Sequence, residues 1–565
     1  MNNYPILDNQ SENLMTDEKK VKALNNLELS SKEKIKIINS IINEDLKLQL
    51  LKENILPNEF DKLRIIRDFR NDNSKLKALK EINFKNNRHQ INIIKTILSD
   101  ENKLLALKIT KISPFIKIQI ILDFQSDESK LKALKEFMML DKEKVKIIDS
   151  FKNDNMKIKA LYEIKLKDND KTQIILSLTE DNKIEALNLL SDKKEITRIL
   201  VTLSDKNKLE ILPQITDSLL QEMIICSIKD HDKRDELLKS FGITNKMKYQ
   251  TLDLNPSMTL GIEIESEGLN SSVIRNYKYI LPSWRAKEDV SLKNKGLEII
   301  SPILRDDLGD IASIYCICEY LKQNDQTVSY RCGGHIHIGA NILTNQYSYI
   351  NLLEIWCNIE NILYIICNDI GEIPRKTLPQ FAKSYSEILS EALDKGTNNL
   401  ENETDLDEFV ANLRSIQKDK YVNLNFLTYN NNYNTIEIRL ANGTITPNTW
   451  IENILLFGKI IEIAEKMSHY HLDDLTPKQK ITLLLKEKLN SNITDEEKLE
   501  TLLELLSFTE EEKSIYRQRY QTNVKLLNQL PKENNPLYQI EFYKIPLNQL
   551  KCEIPSNQNT NTRTH

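Results

Sequence analysis

All 12 glycines of this 565-residue chain lie at or beyond Gly242, and so do its three tryptophans, Trp284, Trp356 and Trp450. A stretch as long as residues 1–241 without glycine can hold few tight turns that need a positive φ. It reads as helices joined by polar turns. An internal repeat sharpens that reading. The phrases KVKALNNL, LKLQLLKEN, KLKALKEI, KLLALKI, KLKALKEF, KIKALYEI and KIEALNLL align at Ala23, Leu50, Ala78, Ala106, Ala133, Ala160 and Ala186, with successive differences of 27, 28, 28, 27, 27 and 26. Weaker copies, LEILPQI and DELLKSF, continue to Phe241. Each unit has a second apolar stretch, such as INIIKTIL or KVKIIDSF, after a polar turn such as NFKNN or MLDKE.

Two short amphipathic helices per unit, stacked on their neighbours, predict an all-α solenoid over residues 21–245. The small alanine at a fixed register lets the two helices approach closely. The unit is shorter than a tetratricopeptide or HEAT repeat and is assigned to neither. A solenoid presents a long grooved surface, so the expected partner is a protein or peptide; a scaffold or oligomerisation arm is the plainer alternative. Its many lysines read as a solvated face. Residues 1–20 read as a disordered N-terminus.

After the linker GITNKMKYQTLDLNPSM the pattern changes to short segments of period two, over a second domain placed at 256–470. In TLGIEIESEGL, Glu263 and Glu265 share one strand face and Ile262 and Ile264 the other, with Gly268 ending the strand. GLEIISPIL sets Glu298 among apolar neighbours, and Pro302 stops the pairing. CGGHIHIGA puts His335 and His337 on one face, and YNTIEIRLANGT does the same for Glu437 and Arg439. Helices are expected between the strands at Leu308–Lys322, Tyr347–Asn368 and Asn448–Met467. The expected fold is α+β: an antiparallel sheet with helices on one side.

The aliphatic face of such a sheet can pack on helices. The ionisable face then lines an open concavity where charges stay partly hydrated. Three glutamates close together repel one another and raise their pKa values, a penalty that a bound divalent cation removes. Hard oxygen ligands favour magnesium or manganese. Arg439 offers a planar fork for phosphate or carboxylate, and the imidazoles of His335 and His337 can ligate metal or donate to phosphate oxygens.

GIEIE, EDVSL, GLEIISPIL, CGGHIHIG, VNLN and TIEIRLANGT, in this order and approximate spacing, resemble the amidoligase family, related in fold to glutamine synthetase and glutamate–cysteine ligase. The resemblance runs from about Leu260 to Ala464. It implies an ATP- and Mg2+- (or Mn2+-) dependent enzyme that joins a carboxylate to an amine through an acyl phosphate, on a peptide or protein target with a small amino acid or amine as co-substrate. It makes Glu263, Glu265 and Glu298 metal ligands and puts His335 and His337 at the nucleotide or the metal. Glu437 and Arg439 would contact phosphate or substrate, so the catalytic set is Glu263, Glu265, Glu437 and Arg439. Asn423, Asn425 and Asn442 match polar motif positions without an assigned role beyond substrate contact for Asn425. Asp289 and Ser291 fall where the family reads Asp-Gly-Ser, with Val290 in place of the glycine, and are candidate substrate contacts. Arg375 is a candidate for the substrate carboxylate.

Two other functions compete: an adaptor or effector whose ligase-like domain is inactive, and a metal-dependent hydrolase built on the H-x-H strand. The latter lacks a further histidine nearby in register. His469 and His471 form another H-x-H at a helix end and read as a decoy. Cys316, Cys318, Cys357 and Cys367 read as core residues. Residues 471–548 read as a polar helical extension with no chemistry, and 549–565 as a disordered tail. The 78 basic and 83 acidic residues nearly cancel, to a net charge of -5, and give no reason to expect nucleic acid as a partner. No apolar run reaches the roughly 18 residues of a membrane span. Seven cysteines without a C-x-x-C pair, and a start with neither a basic nor an apolar signal region, predict a cytoplasmic protein.

Overall fold

The computed structural model describes residues 15–26, 29–268, 284–293, 296–394, 405–428, 434–471 and 474–545. The expectations of disorder for residues 1–14 and 549–565 lie outside these. Asp17, in the leading segment, already begins a helix, Asp17–Asn26, the first among the described residues. The chain divides into two compact units, Met1–Ile199 and Leu200–His565.

The first unit is a run of short helices, two per repeat, as the repeated phrases predict. Corresponding helices stack on one another: Glu44–Lys52 on Asp72–Glu81, and Asp72–Glu81 on Asp100–Ile109. The aligned alanines Ala78, Ala106, Ala133, Ala160 and Ala186 are fully buried. Two further residues recur at the same spacing. The first is acidic and begins the first helix of each unit. Its carboxylate accepts the backbone N–H of the residue that caps the next unit's first helix: Asp17 from Asn43 (2.9 Å), Asp72 from Ser99 (2.8 Å), Asp100 from Ser126 (2.9 Å) and Asp127 from Asn153 (3.0 Å). An orphan donor at each helix start is thereby satisfied from the preceding unit. The second is a lysine three residues later. Its ammonium reaches the end of the second helix of its own unit: Lys20 to Ser40 O (2.6 Å), Lys75 to Thr96 O (2.6 Å) and Lys130 to Ser150 O (3.0 Å). These lysines are buried, so this subset is not a solvated face. Their long stems cross apolar surface to carbonyls that no helix bond uses.

In the second unit, helices Ser218–Cys226 and His231–Ser240 pack on Leu308–Gln323. Buried Arg234 pairs with Asp307, the N-cap of that last helix, at 2.8 Å. Among the described residues, seven strands form an antiparallel sheet: β1 Leu260–Gly268, β2 Arg285–Glu288, β3 Leu297–Ile300, β4 Gln326–Thr327, β5 Gly333–Gly339, β6 Leu424–Asn425 and β7 Thr435–Asn442. Their order is β2-β3-β1-β5-β7-β6, with β4 paired to the end of β1. Glu265 lies opposite Glu298, Glu263 opposite His335, and His337 opposite Glu437. Between Gly334 and Ile336 the β5–β7 register shifts, so Arg439 and Leu440 together oppose the single His335. Such a bulge re-aims the side chains at that point.

The isoleucines Ile262, Ile264, Ile299, Ile336, Ile338 and Ile438 are buried on the opposite face. The long helices Gln346–Ile366 and Pro447–Ser468 pack on each other. Together with Leu308–Gln323 they occur where the apolar pattern places helices. The C-terminal helices Asp495–Leu505 and Glu510–Leu527 pack on Gln346–Ile366. Among the described residues, no helix is long and apolar enough to cross a membrane. Cys316, Cys318, Cys357 and Cys367 are buried, as expected.

Candidate functional site

Period-two alternation in β1, β3, β5 and β7 puts the ionisable side chains on one face, and the register brings them together. His335 Nδ1 lies 2.9 Å from Glu263 Oε2, and its Nε2 3.6 Å from Glu265 Oε1. His337 Nε2 lies 3.4 Å from Glu263 Oε1, and its Nδ1 3.3 Å from the Thr435 hydroxyl. Arg439 Nη1 is hydrogen-bonded to Glu437 Oε1, and Asn425 Nδ2 donates to Glu437 Oε2 at 2.6 Å. Two sets of ligand atoms, each within 4.8 Å of one another, result: Glu263, Glu298 and His335, and Glu263, His337 and Glu437. Glu263 belongs to both.

The face is less open than the sequence suggests. His335 is 3% exposed, Glu437 4%, Arg439 7% and Glu265 8%. Asn425 on β6 covers Glu437, and the Tyr421 ring lies 6.0 Å from the Arg439 guanidinium. Glu263, Glu298 and His337 stay partly accessible. Glu263, Glu437 and His337 border a 680 Å³ cleft whose other wall includes Ile300, Pro302, Ile303 and Leu427.

Crowded carboxylates do not all rise in pKa. Burial opposes ionisation of Glu263, but the hydrogen bond from His335 and the nearby imidazoles of His335 and His337 outweigh it and hold the carboxyl below the usual range. Glu437 behaves alike: burial pushes up, and Arg439 with the two histidines pulls further down. Glu298 follows the simple expectation, raised by burial and by Glu263 despite Lys287 at 2.8 Å. Burial pushes His337 down, but Glu263 and Glu437 carry it above the ordinary histidine value. The Nε2 atoms of His335 and His337 are buried without a hydrogen-bond partner. Unpartnered imidazole nitrogens beside carboxylate oxygens are groups that could hold a divalent cation.

The other named residues fall differently. Glu265 accepts the Gly333 N–H at 2.5 Å and is buried at one end of the cluster. Arg375 is buried beside it and does not line the cleft; its Nη2 donates to the Arg439 carbonyl at 3.0 Å, which anchors the bulge. Gly333 makes this possible, since a Cβ there would stand 1.8 Å from Arg375 Nη1. Asn442 accepts the Arg375 N–H at 2.9 Å and holds the same loop. Asn423 is outside the cluster: its amide bonds Glu360 (3.0 Å), Tyr364 (3.0 Å) and Trp356 (3.2 Å) in the core. Asp289 and Ser291 form the turn after β2, where Asp289 Oδ1 accepts the Ser291 N–H at 2.8 Å, and enter neither set. His469 pairs with Glu465 on an exposed helix end. Sequence reasoning missed Gln417, Lys287 and Thr435. Thr435 opens the TIEIRLANGT motif and Lys287 stands two residues before the EDVSL motif's aspartate, whereas Gln417 lies outside every recognised phrase.

The family model described as "Putative amidoligase enzyme" matches residues 245–461. This bears out the family resemblance read from the six motifs, and it points to ligase-type activity. No curated protein matches the chain.

Proposed function

We propose that the domain matched by the amidoligase family model, residues 245–461, is an ATP- and magnesium- or manganese-dependent ligase that joins a carboxylate to an amine. The observation that carries this reading is Glu263. One carboxylate serves two ligand sets, with Glu298 and His335 on one side and His337 and Glu437 on the other. Such sets, rich in carboxylate and completed by imidazole, suit magnesium and manganese. A bound cation would supply counter-charge to the phosphates of ATP.

The chain's own groups suit the remaining work. Arg439, held by Glu437 and by the anchored bulge, is a fixed cation for a phosphoryl oxygen. The substrate carboxylate would attack the γ-phosphorus of ATP, releasing ADP and forming an acyl phosphate. The amine would then displace phosphate, with a cluster carboxylate taking its proton. The 680 Å³ cleft beside Glu263 has room for the reacting groups. The sheet with one polar face supports a glutamine synthetase-like fold. The stacked short helices of the first unit support an α-solenoid that selects a peptide or protein target.

The test is incubation of the full chain with ATP, Mg2+ and pools of amino acids or cell extract. Mass spectrometry should find ADP, phosphate and new amide-linked products, all lost in Glu263→Gln. Release of AMP, or product formation without nucleotide, would overturn the reading.

A further inference from the structure

Glu437 has two oxygens and one orientation. Oε2 accepts from Asn425 Nδ2 at 2.6 Å, which leaves Oε1 facing Arg439, His335 (3.7 Å) and His337 (4.0 Å). What decides the direction of the Asn425 amide is therefore what decides which way Glu437 points. An amide can present either its oxygen or its nitrogen to a neighbour, and only its partners tell which.

Here the partners are backbone groups that cannot turn. Asn425 Oδ1 accepts the Leu427 N–H at 2.9 Å. It also accepts Gln417 Nε2 at 2.5 Å. Gln417 is oriented the same way: its Oε1 accepts the Phe426 N–H at 3.0 Å and its Nε2 donates to the Asp419 carbonyl at 2.9 Å. Two N–H groups and one carbonyl of the segment 419–427 thus fix both amides. Both side chains are buried, so water does not compete for these bonds.

We infer that Gln417 and Asn425 form an oriented amide relay whose function is to aim Glu437 Oε1 at the cation set of Glu263 and His337. Both are positioning residues, and Asn425 does this in place of binding substrate. The inference rests on the cation reading proposed above. It adds that the wall of the cleft and the ligand are one mechanical piece, because Asn425 and Leu427 border the cleft while they hold the relay.

Manganese alone is the probe, titrated into the full chain and followed by the electron paramagnetic resonance of free Mn2+. In Gln417→Glu the side chain can still accept from Phe426, but it meets Asn425 Oδ1 with an acceptor. The Asn425 amide must turn, which strands the Leu427 N–H and sets an oxygen against Glu437. Asn425→Leu removes the donor to Glu437 with little change of volume. Each should weaken Mn2+ binding by about tenfold or more, as loss of a group that orients a metal ligand does. Asn423→Leu is the control: equally buried, bonded to Glu360 and not to the cluster, it should lower the unfolding midpoint and leave Mn2+ affinity unchanged. If Gln417→Glu does not fold, Asn425→Leu decides. Wild-type affinity in both variants, or an equal loss in Asn423→Leu, overturns the relay and leaves the cation reading standing. A wild-type chain that binds no Mn2+ removes both.

Discussion

Glu263 has a neighbour on every side that depends on its charge. His335 hydrogen-bonds to it and His337 Nε2 stands 3.4 Å from it, its own pKa is lowered by them, and the raised pKa of Glu298 is partly its doing. A single substitution should therefore have effects that its neighbours' substitutions do not. Glu263→Gln removes a ligand common to both sets and should abolish measurable Mn2+ binding. Glu298→Gln removes a ligand from one set only, so Mn2+ stoichiometry should fall to that of the remaining set. Equilibrium dialysis against Mn2+ separates the two, and equal losses would mean that the sets are not independent. At this scale the sequence was readable wherever a residue's role depends on its own strand. Glu263, His335 and Glu437 alternate with isoleucines, and the alternation alone puts them on one face. Gln417 left no such mark. Its role comes from bonds to Asn425 and to backbone groups in a segment without periodicity, and no local pattern carries that information.

Elements were legible in proportion to their length and regularity. The long helices lie within two residues of the expected ends at each terminus. Strands β4 and β6, of two residues each, are too short to show a period, and β2, RAKE, has no apolar alternation to mark it. In the repeats the apolar register was readable because alanine stands out among large side chains. The acidic residue and lysine recurring at the same spacing looked like ordinary surface charge, although they tie the units together. These carboxylates carry a pH prediction. Burial opposes ionisation of Asp17 and Asp154, and of Asp168 at the start of a unit's second helix, but hydrogen bonds from backbone N–H groups and neighbouring side chains prevail and set each below the ordinary value of 3.8. A carboxyl with a depressed folded pKa stabilises the fold fully above its unfolded pKa, and that stability is lost as pH falls through the folded value. Melting of the repeat helices, followed by circular dichroism, should hold steady from pH 7 to 5 and decline below about pH 4. Asp154→Asn with Asp168→Asn should melt lower at neutral pH and show a shallower acid decline, because the charge that titrates is gone. An acid decline as steep as in the wild type would show that the loss originates elsewhere.

At the scale of the whole molecule, the family match ends at residue 461, but the folded unit that contains the site does not. The C-terminal extension, in which the sequence shows no chemistry, inserts Arg519 from the helix Glu510–Leu527 into the core. There its guanidinium pairs with buried Glu452 and donates to the Ile366 carbonyl and to Asn453, both at 3.1 Å. The same carboxylate accepts from Lys248 at 2.9 Å and Tyr249 at 3.0 Å in the segment that leads into β1. Glu452 thus joins the entry segment, a central helix and the extension. A charge this deep was not predictable from composition, since glutamate on a helix reads as solvent-facing until its partner, 67 residues later, is known. Removing one member of a buried ion pair leaves the other desolvated and uncompensated, which costs about 3–5 kcal/mol. Arg519→Met should lower the stability of this unit by about that much in urea unfolding. Combining it with Glu452→Leu should recover part of the loss, because the desolvated charge is then gone, and the double-mutant cycle measures the coupling directly. Lys248, the more exposed partner, can return to water when Glu452 is replaced. Truncation after residue 471 goes further, exposing Glu452 together with the apolar face of Gln346–Ile366, and should abolish Mn2+ binding along with the fold. If the truncated chain kept its wild-type unfolding midpoint and its Mn2+ affinity, the extension would be an appendage, and the cation site would be complete within the matched segment alone.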